Sequence, residues 1–219
     1  MSVSAVIFDM DGVLIDARDW HYEALNRALG LVGFKISRYD HLSTYDGLPT
    51  RRKLEMLSVE RGLPRGLHAF LGELKQRYTM ELVHANCKPT FQHEFALSNL
   101  QARGYSLAVA SNSIRPTVEV MMDRAHLSPY LSATISNEDV SRPKPDPEMY
   151  LVACERLGVE PSETLVVEDN EHGIQAALAS GASVMVVRDP SEVTIDRIEE
   201  EIDRVGEVRR EGVGAHGGR

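Results

Sequence analysis

Short apolar runs punctuate this chain at intervals that leave room for a helix between neighbours. Ala5-Val6-Ile7-Phe8, Leu107-Ala108-Val109-Ala110, Ala133-Thr134-Ile135, Leu165-Val166-Val167 and Val184-Met185-Val186-Val187 are apolar and rich in β-branched residues. Runs of that length and make-up predict buried strands. Between them, Thr117 to Ala125, Glu148 to Leu157 and Gly173 to Ala179 read as helices. Strands alternating with helices predict βαβ units and one parallel sheet, an α/β fold. Right-handed crossovers then bring the strand ends to a common edge.

Residues 17–83 break that rhythm, because they hold no convincing strand. His21 to Leu31, Arg51 to Arg61 and Leu67 to Leu82 are amphipathic with helical period, and Gly62-Leu63-Pro64 reads as a helix stop. The expected organisation is an α/β core of residues 1–16 and 84–219, interrupted by a small helical domain over 17–83. The chain after Val205 is charged and glycine-rich and is expected to fray. Gly212-Val213-Gly214-Ala215-His216-Gly217 matches a dinucleotide fingerprint by letter. It lacks the strand before and the helix after that the fingerprint requires.

Composition narrows the function. A chain of 219 residues with 42% hydrophobic residues can build a large core. Its net charge of −9 excludes a general nucleic-acid surface, so an anionic ligand must meet a local cluster of positive charge. Two cysteines, Cys87 and Cys154, make neither a disulfide framework nor a zinc site, and a reduced, cytoplasmic setting is the simplest fit. No signal peptide or membrane-spanning stretch is expected, since Asp9 interrupts the first apolar run at once.

The chemistry begins at Asp9-Met10-Asp11-Gly12-Val13, directly after the first strand. Carboxylates two residues apart on extended backbone point to one side. Buried together they repel, and they need a cation, a shared proton or both. Alone, the motif could be a turn. It is not a calcium loop, which wants Gly sixth and Glu twelfth, where this chain has Gly12 fourth and Trp20 twelfth. Three further groups follow predicted strands or stiff loops. Ser111-Asn112-Ser113 offers hydroxyl, amide and N–H donors to phosphate oxygens. Arg142-Pro143-Lys144-Pro145-Asp146-Pro147 holds Lys144 on a proline-stiffened loop. Glu168-Asp169 supplies a second acidic pair. Each alone also reads as an N-cap, a solvated loop or a turn.

Taken together and in this order, these motifs resemble those of the haloacid dehalogenase superfamily, in its phosphatase and phosphomutase branch with a small helical cap. Asp9-Met10-Asp11-Gly12-Val13, Ser111, Lys144 and Glu168-Asp169 resemble its four motifs. The run from Glu168 to Ala177 is an especially close match, and the likeness extends over about residues 3–190. The resemblance implies a Rossmann-like core. It implies Asp9 as the nucleophile that forms an aspartyl-phosphate, and Asp11 as general acid and then base. Ser111, Asn112 and Lys144 would bind phosphate. Mg²⁺ would be held by Asp9, the backbone carbonyl of Asp11, Glu168 and Asp169. The superfamily's dehalogenases lack the second acid, so Asp11 favours phosphoryl transfer.

The cap candidates are His21, the Gly47 loop (Tyr45-Asp46-Gly47-Leu48-Pro49-Thr50-Arg51) with its Arg51, and Lys75. The Gly47 loop resembles the specificity loop of β-phosphoglucomutase-like proteins. Mutases there carry an Arg three residues past the glycine, where this chain has Thr50 followed by Arg51. His21 and Lys75 also read as an ordinary polar helix face, and Arg51 as a solvated helix start. Arg51 and Lys75 are both expected to be exposed. The leading expectation is a Mg²⁺-dependent phosphatase of a small phosphorylated metabolite, a sugar phosphate above all, with no nucleic-acid or membrane partner. The alternatives are a phosphosugar mutase of the β-phosphoglucomutase type and a catalytically idle phosphometabolite-binding module.

Overall fold

The structure, a computed structural model, describes residues 2–214, with side chains described through residue 207. Five strands form one sheet in the order β3-β2-β1-β4-β5. They are β1 (Ala5–Phe8), β2 (Ser106–Ala110), β3 (Ala133–Ile135), β4 (Thr164–Glu168) and β5 (Ser183–Val186), and every pairing is parallel. Both faces are covered, which explains why the strand sequences are continuously apolar. Val6, Phe8, Val109 and Val167 enter one buried cluster, while Ile7, Ala108, Ala110 and Val166 enter the other.

The central register sets the site. Phe8 pairs with Val109 on one side and Val167 on the other, and the Asp9 N–H donates to Val167 O at 2.9 Å. The residues that follow, Asp9, Ala110-Ser111 and Glu168, therefore emerge together at the C-terminal edge. In open α/β sheets ligands bind at that edge.

Between β1 and β2 lie α1 (Arg18–Gly30), α2 (Arg38–Asp40) running into a π-turn at His41–Tyr45, α3 (Thr50–Arg61) and α4 (His68–Asn86). They enclose their own apolar cluster, including Leu25, Leu29, Leu54, Leu57 and Leu71. Each such buried side chain stabilises by roughly 1.5–3 kcal/mol. Gly62, at φ +73°, ends α3 in the left-handed conformation, as its sequence suggested. Helix α4 belongs to both regions, since Leu71 packs in the helical cluster and Val83 in the sheet cluster. It runs four residues beyond the expected Leu82.

The sequence reading missed α5 (Phe91–Ala102) and the helix at Ile195–Gly214. The rest of the core is α6 (Arg115–Arg124), α7 (Glu148–Leu157), α8 (Glu171–Ser180) and α9 (Ile195–Gly214). The chain after Val205, expected to fray, continues as helix to Gly214. Ile198, Ile202 and Val205 bury one stripe of α9 against the sheet cluster. The end of the Gly212 motif lies outside the described residues.

Candidate active site

Lys144 stands at the centre of the strand-end cluster. Its ammonium donates to Asp9 Oδ1 at 2.6 Å, Glu168 Oε1 at 2.7 Å and Ala110 O at 2.9 Å. All three donors are used, and the group is buried. Burial alone would lower its pKa, but Asp9 and Glu168 outweigh it and push it up to about 12. Glu168 is held in place in turn. Tyr150 Oη donates to Oε1 at 2.6 Å, and the Asp169 and Asn170 N–H groups donate to Oε2 at 3.0 and 3.4 Å. Gly173, in the first turn of α8, allows this approach, since a Cβ there would overlap the Glu168 carboxylate.

The Asp9 pKa is raised too, which in a carboxylate disfavours the charged form. Burial raises its pKa well above the ordinary value; Lys144 opposes this, and Glu168, Asp169 and Asp11 add to it. Carboxylate oxygens of Asp9, Glu168 and Asp169 lie within 4.8 Å of one another. Asp169 Oδ2 is paired with the Arg18 guanidinium, but Asp169 Oδ1 is buried without a partner. Gly12, at φ +94°, keeps this space open, because a Cβ there would overlap Asp169. An all-oxygen donor set with an orphaned buried carboxylate oxygen fits a hard divalent cation.

Asp11 faces the same cavity from the turn after β1. Ser113 Oγ donates to Asp11 Oδ2 at 3.1 Å, and His21 Nε2 lies 3.0 Å from Oδ1. Burial would raise the Asp11 pKa, but His21, Lys75 and Ser113 bring it below the ordinary value. Lys75 Nζ lies 3.1 Å from His21 Nδ1, completing a chain from the helical block to the acid. Lys75 was expected to be exposed. It is 8% exposed instead, and burial and then Lys53 lower its pKa to about 7.

These groups line a cavity of about 310 Å³ between the sheet edge and the helical block. Ser111 and Asn112 line it too, though the Asn112 amide is occupied: Nδ2 donates to Gly47 O at 2.9 Å and Oδ1 accepts from Lys144 N at 3.2 Å. Asn112 thus links the sheet edge to the Gly47 loop. Gly47, at φ +69°, lies so near Asn170 that a Cβ would overlap its side chain. The Arg51 side chain reaches the cavity mouth and is 90% exposed. Asp46, in the candidate Gly47 loop, lines the cavity as well, whereas sequence reasoning missed Arg18 and Lys53, which also line it, and Tyr150 behind it. Helical spacing signalled that α1 and α3 each bury a face, but not that these polar residues lie on the cavity side.

Fold and site define the class: a parallel, doubly covered α/β sheet with paired carboxylates and a lysine at its C-terminal strand edge. A family model described as haloacid dehalogenase-like hydrolase matches residues 6–187, and the chain belongs to that family. It is 32% identical to a phosphorylated carbohydrates phosphatase of Thermotoga maritima over 82% of each chain. It is 28% identical to the fructose-1-phosphate phosphatase YqaB of Escherichia coli, over 84% of this chain and 96% of that one. A β-phosphoglucomutase structure from Clostridium difficile superposes with a TM-score of 0.79 at 21% identity, covering 92% of this chain and 98% of the other, a likeness of fold. Among the described residues no helix is long and apolar enough to cross a membrane.

Proposed function

We propose that this protein is a Mg²⁺-dependent phosphatase that hydrolyses a small phosphorylated metabolite, a sugar phosphate foremost, through an aspartyl-phosphate. The observation that carries the reading is Asp9, held by Lys144 against Glu168 and Asp169, with Asp11 facing the same cavity. The names of the curated relatives support phosphomonoester hydrolysis. Residues 17–83 act as a cap over a core of 1–16 and 84–219.

In this mechanism Asp9 attacks phosphorus and takes the phosphoryl group covalently, which divides one difficult displacement into two. Asp11 gives a proton to the departing oxygen and later takes one from the attacking water. Lys144 offsets the negative charge shared by Asp9 and the phosphoryl oxygens. Ser111 and the adjoining backbone bind those oxygens. Asp9, Asp169, Glu168 and the Asp11 carbonyl would hold Mg²⁺, which when bound supplies charge neutralisation for phosphate and carboxylates. The need is large, because two like charges ~4 Å apart repel by about 4 kcal/mol at an effective dielectric of about 20.

The mutase reading is disfavoured by Thr50 at the position where β-phosphoglucomutase-like mutases carry arginine. An idle binding module is disfavoured because every motif residue is in place. The test is a screen of phosphorylated metabolites for Mg²⁺-dependent phosphate release. Release from a monophosphate without added bisphosphate supports hydrolysis. Isomerisation that needs a bisphosphate would establish the mutase, and binding without turnover the idle module.

A further inference from the structure

Arg18, the first residue of α1, reaches from the helical block to the acidic edge of the sheet. Its Nη2 donates to Asp169 Oδ2, and to Arg188 O beyond β5 at 3.1 Å. The two oxygens of Asp169 are therefore unlike. Oδ2 is taken by Arg18, and Oδ1, buried without a partner, is the one left for a cation. A carboxylate pinned by one oxygen presents the other in a fixed direction, which is how outer partners orient metal ligands. Gly12 makes room for the pair, since a Cβ there would overlap Asp169 and come within 3.0 Å of Arg18 Nε.

The rest of the guanidinium meets the cap loop. Arg18 Nε is buried with no hydrogen-bond partner among the described residues, and it lies 3.9 Å from Asp46 Oδ2. His41 Nε2 lies 3.9 Å from the other oxygen, Asp46 Oδ1, and is likewise buried without a hydrogen bond. Burial and then Lys53 lower the His41 pKa to about 4, so the ring is neutral and has one N–H to give. Each separation exceeds a hydrogen bond by roughly 1 Å. Buried donors left unsatisfied are costly. Asp46 thus stands one small step from two of them, in the loop that carries Gly47.

We propose that Arg18 is a positioning residue shared by the metal site and the cap: its Nη2 turns Asp169 so that Oδ1 is kept for a cation, and its Nε takes Asp46 when the Gly47 loop closes. This rests on the metal site of the phosphatase reading above and adds a coupling to it. Closure gives the idle donors of Arg18 and His41 to Asp46, and so stiffens the guanidinium that holds Asp169. Cation affinity and loop position are then linked, and each favours the other.

Calorimetric titration of the metal-free, full-length protein with MgCl₂, without substrate, tests this. Arg18→Met should weaken Mg²⁺ binding by about tenfold or more, and Arg18→Lys should recover part of the loss. Asp46→Asn should weaken binding to a smaller extent in the wild type and have no further effect in the Arg18→Met background. Tighter binding in Arg18→Met would mean that Arg18 competes with the cation. Equal losses from Asp46→Asn in both backgrounds would mean simple long-range attraction. Either result overturns the proposal. Hydrogen exchange supplies a second readout: Mg²⁺ should slow exchange of residues 42–52 in the wild type but not in Asp46→Asn. No slowing in the wild type, or slowing that persists in Asp46→Asn, rejects the link, and this comparison decides the question even where Arg18→Met does not fold. A wild type that binds no Mg²⁺ would sink the metal reading together with the proposal. A wild type that binds it, with variants that match it, sinks the proposal alone. Phosphate release from p-nitrophenyl phosphate checks the phosphatase reading separately, so the two can fail apart.

Discussion

His21 Nε2 lies 3.0 Å from Asp11 Oδ1, joining helix α1 to the acid at the end of β1. When Lys75 is charged its Nζ donates to His21 Nδ1, and Nε2 then carries the hydrogen given to Asp11. The cap thus orients the group proposed to protonate the leaving oxygen. His21→Ala should lower kcat/KM for a sugar phosphate by about 10- to 100-fold, within the usual worth of general acid–base catalysis. It should cost far less with p-nitrophenyl phosphate, whose phenolate departs without a proton. Equal losses on both esters would remove this role from His21.

Lys75 should make stability depend on pH. Its folded-state pKa of about 7 lies below the ordinary lysine value of 10.5, so the unfolded chain binds more protons between the two. Stability gained from this site therefore rises with pH across that window. Lys75→Met should be more stable than the wild type at pH 7, with the gap narrowing toward pH 10. Denaturant midpoints at several pH values measure this; a gap that widens would contradict it.

Asp9→Asn should abolish turnover, since an amide is a poor nucleophile and a weak metal ligand. A loss of several decades is expected, with the fold retained because the change is nearly isosteric. Retention of more than about a tenth of activity would refute covalent catalysis by Asp9.

Chelation should silence the enzyme and Mg²⁺ should restore it. The donor set around the orphaned Asp169 Oδ1 is all oxygen. Full activity after exhaustive metal removal, or restoration by Zn²⁺ alone, would count against the assignment.

Gly47→Ala tests closure of the cap. At φ +69° the new side chain costs about 1–2 kcal/mol and would overlap Asn170. Sugar-phosphate KM should rise several-fold while p-nitrophenyl phosphate is little affected. The exposed Arg51 offers the matching case: Arg51→Ala should change substrate preference with no measurable loss of Tm. Indifference of kcat/KM to both changes would make the Gly47 loop a mere connection.

The α5 segment shows where periodicity misleads. Phe91 and Phe95 stack on its exposed face with ring centroids 5.5 Å apart, while Ala96, Leu97 and Leu100 are buried. Apolar residues on both faces blur the single stripe that marks a surface helix. In α9, also missed, only Ile198, Ile202 and Val205 mark the buried stripe, and the charged, glycine-rich end conceals the helix that continues through it.

The sheet and its acidic edge were determined by the sequence alone. Continuous apolar runs have no stable place except between two layers, and parallel crossovers bring the residues after them to one edge. Asp9, Asp11, Ser111 and Glu168 were legible for that reason. The inner wall of the cap was decided only by tertiary structure. Lys53 and Lys75 read as polar positions on amphipathic helices, and a helical period cannot say whether a polar residue meets water or a cavity. That depends on how α3 and α4 pack over the sheet edge. The same packing buries the two ammoniums, ties His21 to Asp11 and brings Gly47 against Asn170, through contacts between residues far apart in the chain.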